Sequence, residues 1–115
     1  AEMVKYFTNT FLATKVSFAN EMKMICDELR IDYDKVVEYS ICDKRLGKSH
    51  WAVPGPDGKL GFGGSCFPKD LNAMISLCYQ LGMWPHTLIG VWDTNLDVRP
   101  EKDWENLKGR AVTEG

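Results

Sequence analysis

The run Gly61-Phe62-Gly63-Gly64-Ser65-Cys66-Phe67-Pro68-Lys69-Asp70 places a thiol where a glycine-rich stretch gives way to a helical pattern. A helix start presents unpaired N–H groups and the positive end of the macrodipole, and both favour an anion such as a thiolate. Glycines at 61, 63 and 64 let backbone approach a ligand with no Cβ intervening. Their N–H groups are candidates to hold the oxyanion formed when that thiolate attacks a carbonyl. The chemistry this pattern suits is covalent catalysis with Cys66 as nucleophile. A helix following a flexible loop, with an incidental cysteine, fits the same string. A dinucleotide fingerprint does not, because it needs G-x-G-x-x-G between a strand and a helix.

Lys5 and Asn9 stand four apart in a helical pattern and so share a face. An ammonium beside an attacked carbonyl stabilises the developing oxyanion, and an amide can donate to it or fix a water. An ordinary solvated helix face has the same composition. Arg45, in Asp43-Lys44-Arg45-Leu46, offers a fork of donors to a phosphate or carboxylate, or simply pairs with the end of its own helix. His50 and His86 have no metal-ligand spacing and read as surface or capping residues. Cys26, Cys42, Cys66 and Cys78 are separated by 16, 24 and 12 residues, so no Cys-x-x-Cys pair exists for zinc or dithiol chemistry, and no metal is expected. Cys26 and Cys78 lie on apolar helical stripes and read as core; the thiols read as free in a cytoplasmic protein.

The elements that must position these groups are helical. Val4, Phe7, Phe11, Phe18, Met22, Ile25 and Leu29 step by three, four or seven with no Pro or Gly between them, predicting one helix over 2–29. Such a helix spans roughly 42 Å, longer than so small a domain is wide, and its stripe calls for a partner helix. Asp32 can cap a second helix ending near Gly47 with Val36, Val37 and Ile41 inward. Residues 47–67 are rich in Gly and Pro and predict a loop of about 20 residues. Pro68 begins a third helix with Leu71, Met74, Ile75, Cys78 and Leu81 inward, closed by Gly82. A fourth covers Pro85 to Leu96 with Leu88, Val91 and Trp92 inward; Pro100 starts a last short one through Trp104 and Leu107, and the tail from Gly109 frays. No period-2 strand pattern competes, so the fold class is all-α.

At 115 residues the chain is one domain, and 44% apolar with 11% aromatic residues fills a core. Its 14 basic and 16 acidic residues are interspersed and sum to −2, which removes the electrostatic motive for nucleic-acid binding. No apolar run approaches the ~20 residues of a bilayer span. The entry into a helical pattern at Ala1 without Met reads as an excerpt of a longer polypeptide.

Taken together, Ala-Glu-x-x-Lys-x-x-x-Asn-x-Phe-Leu-Ala at 1–13, Phe18 with Asn20-Glu21, Asp43-x-Arg45-Leu46-Gly47 and Gly61-Phe62-Gly63-Gly64-x-Cys66-Phe67-Pro68-Lys69-Asp70 resemble the central domain of the nucleotide-sugar dehydrogenases, the UDP-glucose/GDP-mannose dehydrogenase family. The resemblance covers residues 1–95, leaving 96–115 as a C-terminal extension. It implies a helical dimerisation domain like the C-terminal part of 6-phosphogluconate dehydrogenase, forming a homodimer through helix 2–29. It also implies a separate N-terminal NAD-binding domain absent from this chain, without which the excerpt is inactive. The reaction implied is oxidation of UDP-glucose to UDP-glucuronate by two hydride transfers to NAD through a thioester on Cys66. Oxidation of GDP-mannose, or a dimerisation module without chemistry, are the alternatives, and Phe67 before Pro68-Lys69-Asp70 favours UDP-glucose. In that scheme Lys5 and Asn9 stabilise oxyanions, and Asp70 activates or orders the hydrolytic water. Arg45 reaches the partner subunit's substrate. Gly61, Phe62, Gly63 and Phe67 belong to the segment that cradles the sugar, and Lys69 is the one residue that would touch the cofactor. The sequence 103–111 does not resemble an entry into the family's usual third domain.

Overall fold

A computed structural model describes residues 2–107 of the chain. Helix α1, Glu2–Glu28, is uninterrupted by Pro or Gly, and its 27 residues span about 40 Å, close to the 42 Å longest extent of the molecule. Its inward face is small or polar, with Ala13, Ser17, Ala19, Asn20 and Cys26 buried, which lets α3 and α4 pack close. The large apolar residues of the expected stripe face outward, uncovered by the chain's own helices: Phe7 is 73% exposed, Val4 68% and Leu29 64%. The helix ends one residue before the expected Leu29. Arg30 takes a left-handed conformation (φ 58°), and the Ile31 N–H returns to Cys26 O at 2.8 Å, closing a Schellman turn without glycine.

Helix α2, Tyr33–Ser40, starts where expected, with the Asp32 carboxylate accepting from the Lys35 N–H, but it ends seven residues before Gly47. Local bonds explain the early stop: Cys42 and Asp43 donate to carbonyls three residues back, and the Asp43 carboxylate captures the Arg45 N–H at 3.0 Å. The expected inward side also shifts. Tyr33 is the buried residue, while Val37 and Ile41 are half-buried and Val36 is exposed.

Helix α3, Cys66–Gln80, begins at Cys66, two residues earlier than Pro68, so the thiol is the first helical residue rather than a residue of the preceding loop. Leu71 and Ile75 are buried as expected, Met74 and Cys78 half-buried, and Leu81 is outside, 63% exposed. Gly82 (φ 71°) ends the helix, and the Met83 N–H reaches Cys78 O at 2.8 Å. Helix α4 covers His86–Val98 instead of Pro85–Leu96, with Val91 buried and Leu88 and Trp92 half-buried. A 3-10 turn, Asp103–Leu107, follows; the expectation for the tail from Gly109 falls outside the described residues.

The core has two parts that meet α1 at different positions along its length. Ala13, Leu71, Ile75 and Val91 join Phe62 from the long loop; Ala19, Cys26 and Tyr33 join Val53 from the same loop. Residues 41–65 thus contain no regular element yet are nailed down at two apolar points. Trp104 is buried against Trp92, with centroids 5.0 Å apart. All regular structure among the described residues is helical, which bears out the all-α expectation.

Candidate active site

Packing of α1 on α3 brings together three of the residues singled out in the sequence. Asp70, in the second turn of α3, is 1% exposed. Its Oδ2 accepts a 2.6 Å hydrogen bond from Asn9 Nδ2, and its Oδ1 lies 3.8 Å from Lys5 Nζ. A buried carboxylate is costly without partners, so two turns of α1 are what make Asp70 tolerable there. Oδ1 makes no hydrogen bond among the described residues and keeps its acceptor capacity.

Cys66 is exposed and stands four residues before Asp70, so thiol and carboxylate share one side of α3. Its Sγ is 4.0 Å from Ser65 Oγ. Ser65 occupies the N-cap position without a side-chain cap, so the first N–H groups of the helix have no partner from that quarter. Pro68 has no N–H to add.

A cavity of about 370 Å³ is lined in part by Gly61, Phe62, Gly63 and Phe67, the last being the sequence neighbour of Cys66, which does not itself line it. Phe62 and Phe67 meet edge to face at 6.0 Å, and the His50 ring lies 5.7 Å from Phe67. His50, read as a surface residue, is exposed but contributes to this wall, in a left-handed conformation (φ 69°). Partial burial, then the nearby Lys15 charge, push its pKa down.

The glycine stretch does less by its backbone than the sequence suggested. The Gly61 N–H donates to Asn20 Oδ1 (3.2 Å) and the Phe62 N–H to Asn95 Oδ1 (2.7 Å), so neither is free for an oxyanion. Sequence reasoning overlooked Asn95 and Arg99. The first had a visible signal, since Asn95 falls on the inward stripe of α4 where an apolar residue is expected, and it is fully buried.

Arg45 is not drawn toward Cys66. Its guanidinium is exposed and grips the Asp43 carboxylate at 2.6 Å; that bond holds Asp43 below the usual carboxylate range and raises Arg45. Lys69 is also exposed. No cluster of three or more His, Cys, Asp or Glu able to hold a metal occurs among the described residues, and none of their helices is long and apolar enough to cross a membrane.

The profile of the UDP-glucose/GDP-mannose dehydrogenase family, central domain, matches residues 1–97. The chain belongs to this family. Among relatives, the UDP-glucose 6-dehydrogenase AglM of Haloferax volcanii is 38% identical over 115 residues, all of this chain and 25% of that protein. The UDP-glucose 6-dehydrogenase TuaD of Bacillus subtilis is 42% identical over 96 residues, 83% of this chain and 20% of that one. The solved structure of a UDP-glucose dehydrogenase from the hyperthermophilic archaeon Pyrobaculum islandicum superposes with a TM-score of 0.74 at 41% identity, covering 82% of this chain and 21% of that one. The chain therefore spans a quarter or less of the length of these family members.

Proposed function

We propose that this chain is the nucleophile-bearing central domain of an NAD-dependent UDP-glucose 6-dehydrogenase, making UDP-glucuronate through a thioester on Cys66. The observation that carries the reading is the gathering of Lys5, Asn9 and Asp70 at the start of the Cys66 helix. Relatives at 38% and 42% identity bearing that enzyme's name support the choice of sugar. The residues described here do not fit NAD: no strand precedes the glycine loop, and two of its N–H groups already serve Asn20 and Asn95. NAD belongs on another part of the longer enzyme, where it would accept one hydride in each of the two oxidations.

The steps assigned to this chain follow from its own groups. The Cys66 thiolate adds to the carbonyl carbon of the C6 aldehyde, and the π pair moves onto oxygen. The Lys5 ammonium and the Asn9 amide stabilise that oxyanion. Once oxidation has converted the adduct to a thioester, water adds to its carbonyl with Asp70 ordering the water or taking its proton. Collapse of the second oxyanion breaks the C–S bond, returning Cys66 as thiolate and leaving a carboxylate. Gly61, Phe62, Gly63 and Phe67 form the wall for the sugar. We assign residues 96–115 to a C-terminal extension, the outward stripe of α1 to a homodimer, and exposed Arg45 to the partner's substrate. Free cysteines fit a reducing, cytoplasmic setting.

The test is product analysis of the full-length enzyme with UDP-glucose and GDP-mannose. Wild type should convert UDP-glucose to the acid, and Cys66→Ser should lose acid formation while the poorer nucleophile still permits the first oxidation. Acid formation at the wild-type rate by Cys66→Ser would remove the nucleophile assignment.

A further inference from the structure

The loop that walls the cavity is held by a clamp that lies after the catalytic-site motifs in sequence. Arg99, just past the end of α4, is 2% exposed, and its guanidinium spends every donor group within the fold. Nε donates to Asp103 Oδ1 at 2.8 Å, and Nη2 donates to Asp57 Oδ2 at 2.6 Å and Asp103 Oδ2 at 3.0 Å. Nη1 points at the carbonyls of Leu60 (3.2 Å) and Gly61 (3.5 Å). One turn earlier, Asn95 pairs with the backbone of a single residue, accepting from the Phe62 N–H at 2.7 Å and donating to the Phe62 carbonyl at 3.0 Å. Residues of α4 and its exit thereby hold Asp57, Leu60, Gly61 and Phe62, the stretch that leads into Cys66.

The glycines of this stretch are shaped to the clamp. A Cβ at Gly61 would fall 2.4 Å from Asn95 Oδ1, and one at Gly63 would fall 2.4 Å from Arg99 Nη2 and from Asp103 Oδ2. At Gly64 a Cβ would meet nothing. Stability alone is a weak reason for such a network. Burying a guanidinium carries a desolvation cost that its ion pairs often only offset, and an apolar side chain of similar volume can serve folding as well. What an apolar side chain cannot do is fix two carbonyls and two carboxylates in one geometry.

We propose that Arg99 and Asn95 are positioning residues for substrate binding, setting the wall of the cavity lined by Phe62 and Phe67 through Asp57, Gly61 and Phe62. The proposal rests on the reading of that cavity as the nucleotide-sugar site. Neither residue touches substrate; each acts through the loop.

The test uses the full-length enzyme with Arg99→Met, Arg99→Lys, Asp57→Asn and the double Arg99→Met/Asp57→Asn variant. Arg99→Met should raise KM for UDP-glucose about tenfold or more with a smaller change in kcat, and Arg99→Lys should recover part of the loss. The double variant should be no worse than Arg99→Met alone, because both substitutions break one clamp. Amide hydrogen exchange of the free enzyme gives an arm independent of activity. Arg99→Met should speed exchange at Phe62 while leaving the middle of α3 protected. An unchanged KM with a lowered thermal midpoint would reduce Arg99 to a structural residue and overturn the proposal, as would unchanged exchange at Phe62. If the wild-type enzyme oxidises no nucleotide sugar, the proposed function fails, while the exchange result still decides whether the clamp holds the loop.

Discussion

Lys5 and Asn9 act on the same carboxylate by different physics, and substitutions should separate them. Asn9 makes a 2.6 Å hydrogen bond to a buried oxygen, whereas the half-exposed Lys5 ammonium stands 3.8 Å away. Lys5→Ala and Asn9→Ala should each cost roughly 3–4 kcal/mol of oxyanion stabilisation, a ~10²–10³-fold fall in rate. Only Asn9→Ala should also lower stability, by about 1–3 kcal/mol, because it strips a buried acceptor of its donor. Urea titrations beside steady-state rates of the full-length enzyme check this, and equal destabilisation by Lys5→Ala would contradict it. Asp70→Asn should let the thioester accumulate, visible as an adduct on Cys66 in quenched samples by mass spectrometry. The thiols themselves offer a simpler measurement. Cys66 and Cys42 are exposed, Cys78 is half-buried and Cys26 buried. Access alone predicts equal labelling of the first two, whereas the positive end of α3 favours Cys66. Iodoacetamide should therefore modify Cys66 first, Cys42 next and Cys26 last, as read by peptide mapping.

Helices α1, α3 and α4 were legible because their signals are local: apolar residues at helical spacing, no internal Pro, and Gly82 at a helix end. The end of α2 was not, because a side-chain bond from Asp43 to the Arg45 backbone competes with the helix and leaves no mark in periodicity. The outward stripe of α1 agrees with a helix too long for its own neighbours to cover, while the inward face of small residues carried no such signal. Large apolar residues usually point inward, but here small ones admit the neighbouring helices and the large ones are left outside. The Lys5, Asn9 and Asp70 cluster could be suspected from spacing on α1 and from family motifs, yet its closure spans 61 residues from Asn9 to Asp70. The Asn95 bond to Phe62 spans 33 and had no local signature beyond a polar residue on an apolar stripe. The loop also has a predictable acid limit. Hydrogen bonding from Arg99 holds both Asp57 and Asp103 below the usual carboxylate range. Groups so depressed contribute stability above their unfolded values near ~4, and the contribution is lost as pH falls from there through the lower folded values. Fluorescence of Trp92 and Trp104 should report loosening in that window, and Arg99→Met should flatten it. Within α3, Leu71 is fully buried, so Leu71→Ala should cost about 2–5 kcal/mol by chemical denaturation.

At the scale of the molecule, α1 is one rod that carries site residues on its inward side and an apolar stripe on the other. Val4, Phe7, Phe11, Phe18, Ile25 and Leu29 are each about half exposed or more. A contiguous surface of that kind is unusual on a monomer. Sedimentation at micromolar concentration should show a dimer, and Phe7→Asp with Phe11→Asp should yield monomer with unchanged helicity. A monomer before any substitution would end the dimer assignment.

The close fit around Gly61 and Gly63 carries one further consequence, for how tolerance to change is distributed along the chain. Growth selection across every substitution would rank these glycines beside Cys66, since all three would be lost from survivors, and an observer would count them together as chemistry. Scoring the same library by cellular abundance should divide them. Side chains at 61 and 63 collide with Asn95, Arg99 and Asp103, so their variants should be cleared as misfolded protein. Cys66→Ser sits on an exposed helix start and should persist at wild-type levels, intact and idle.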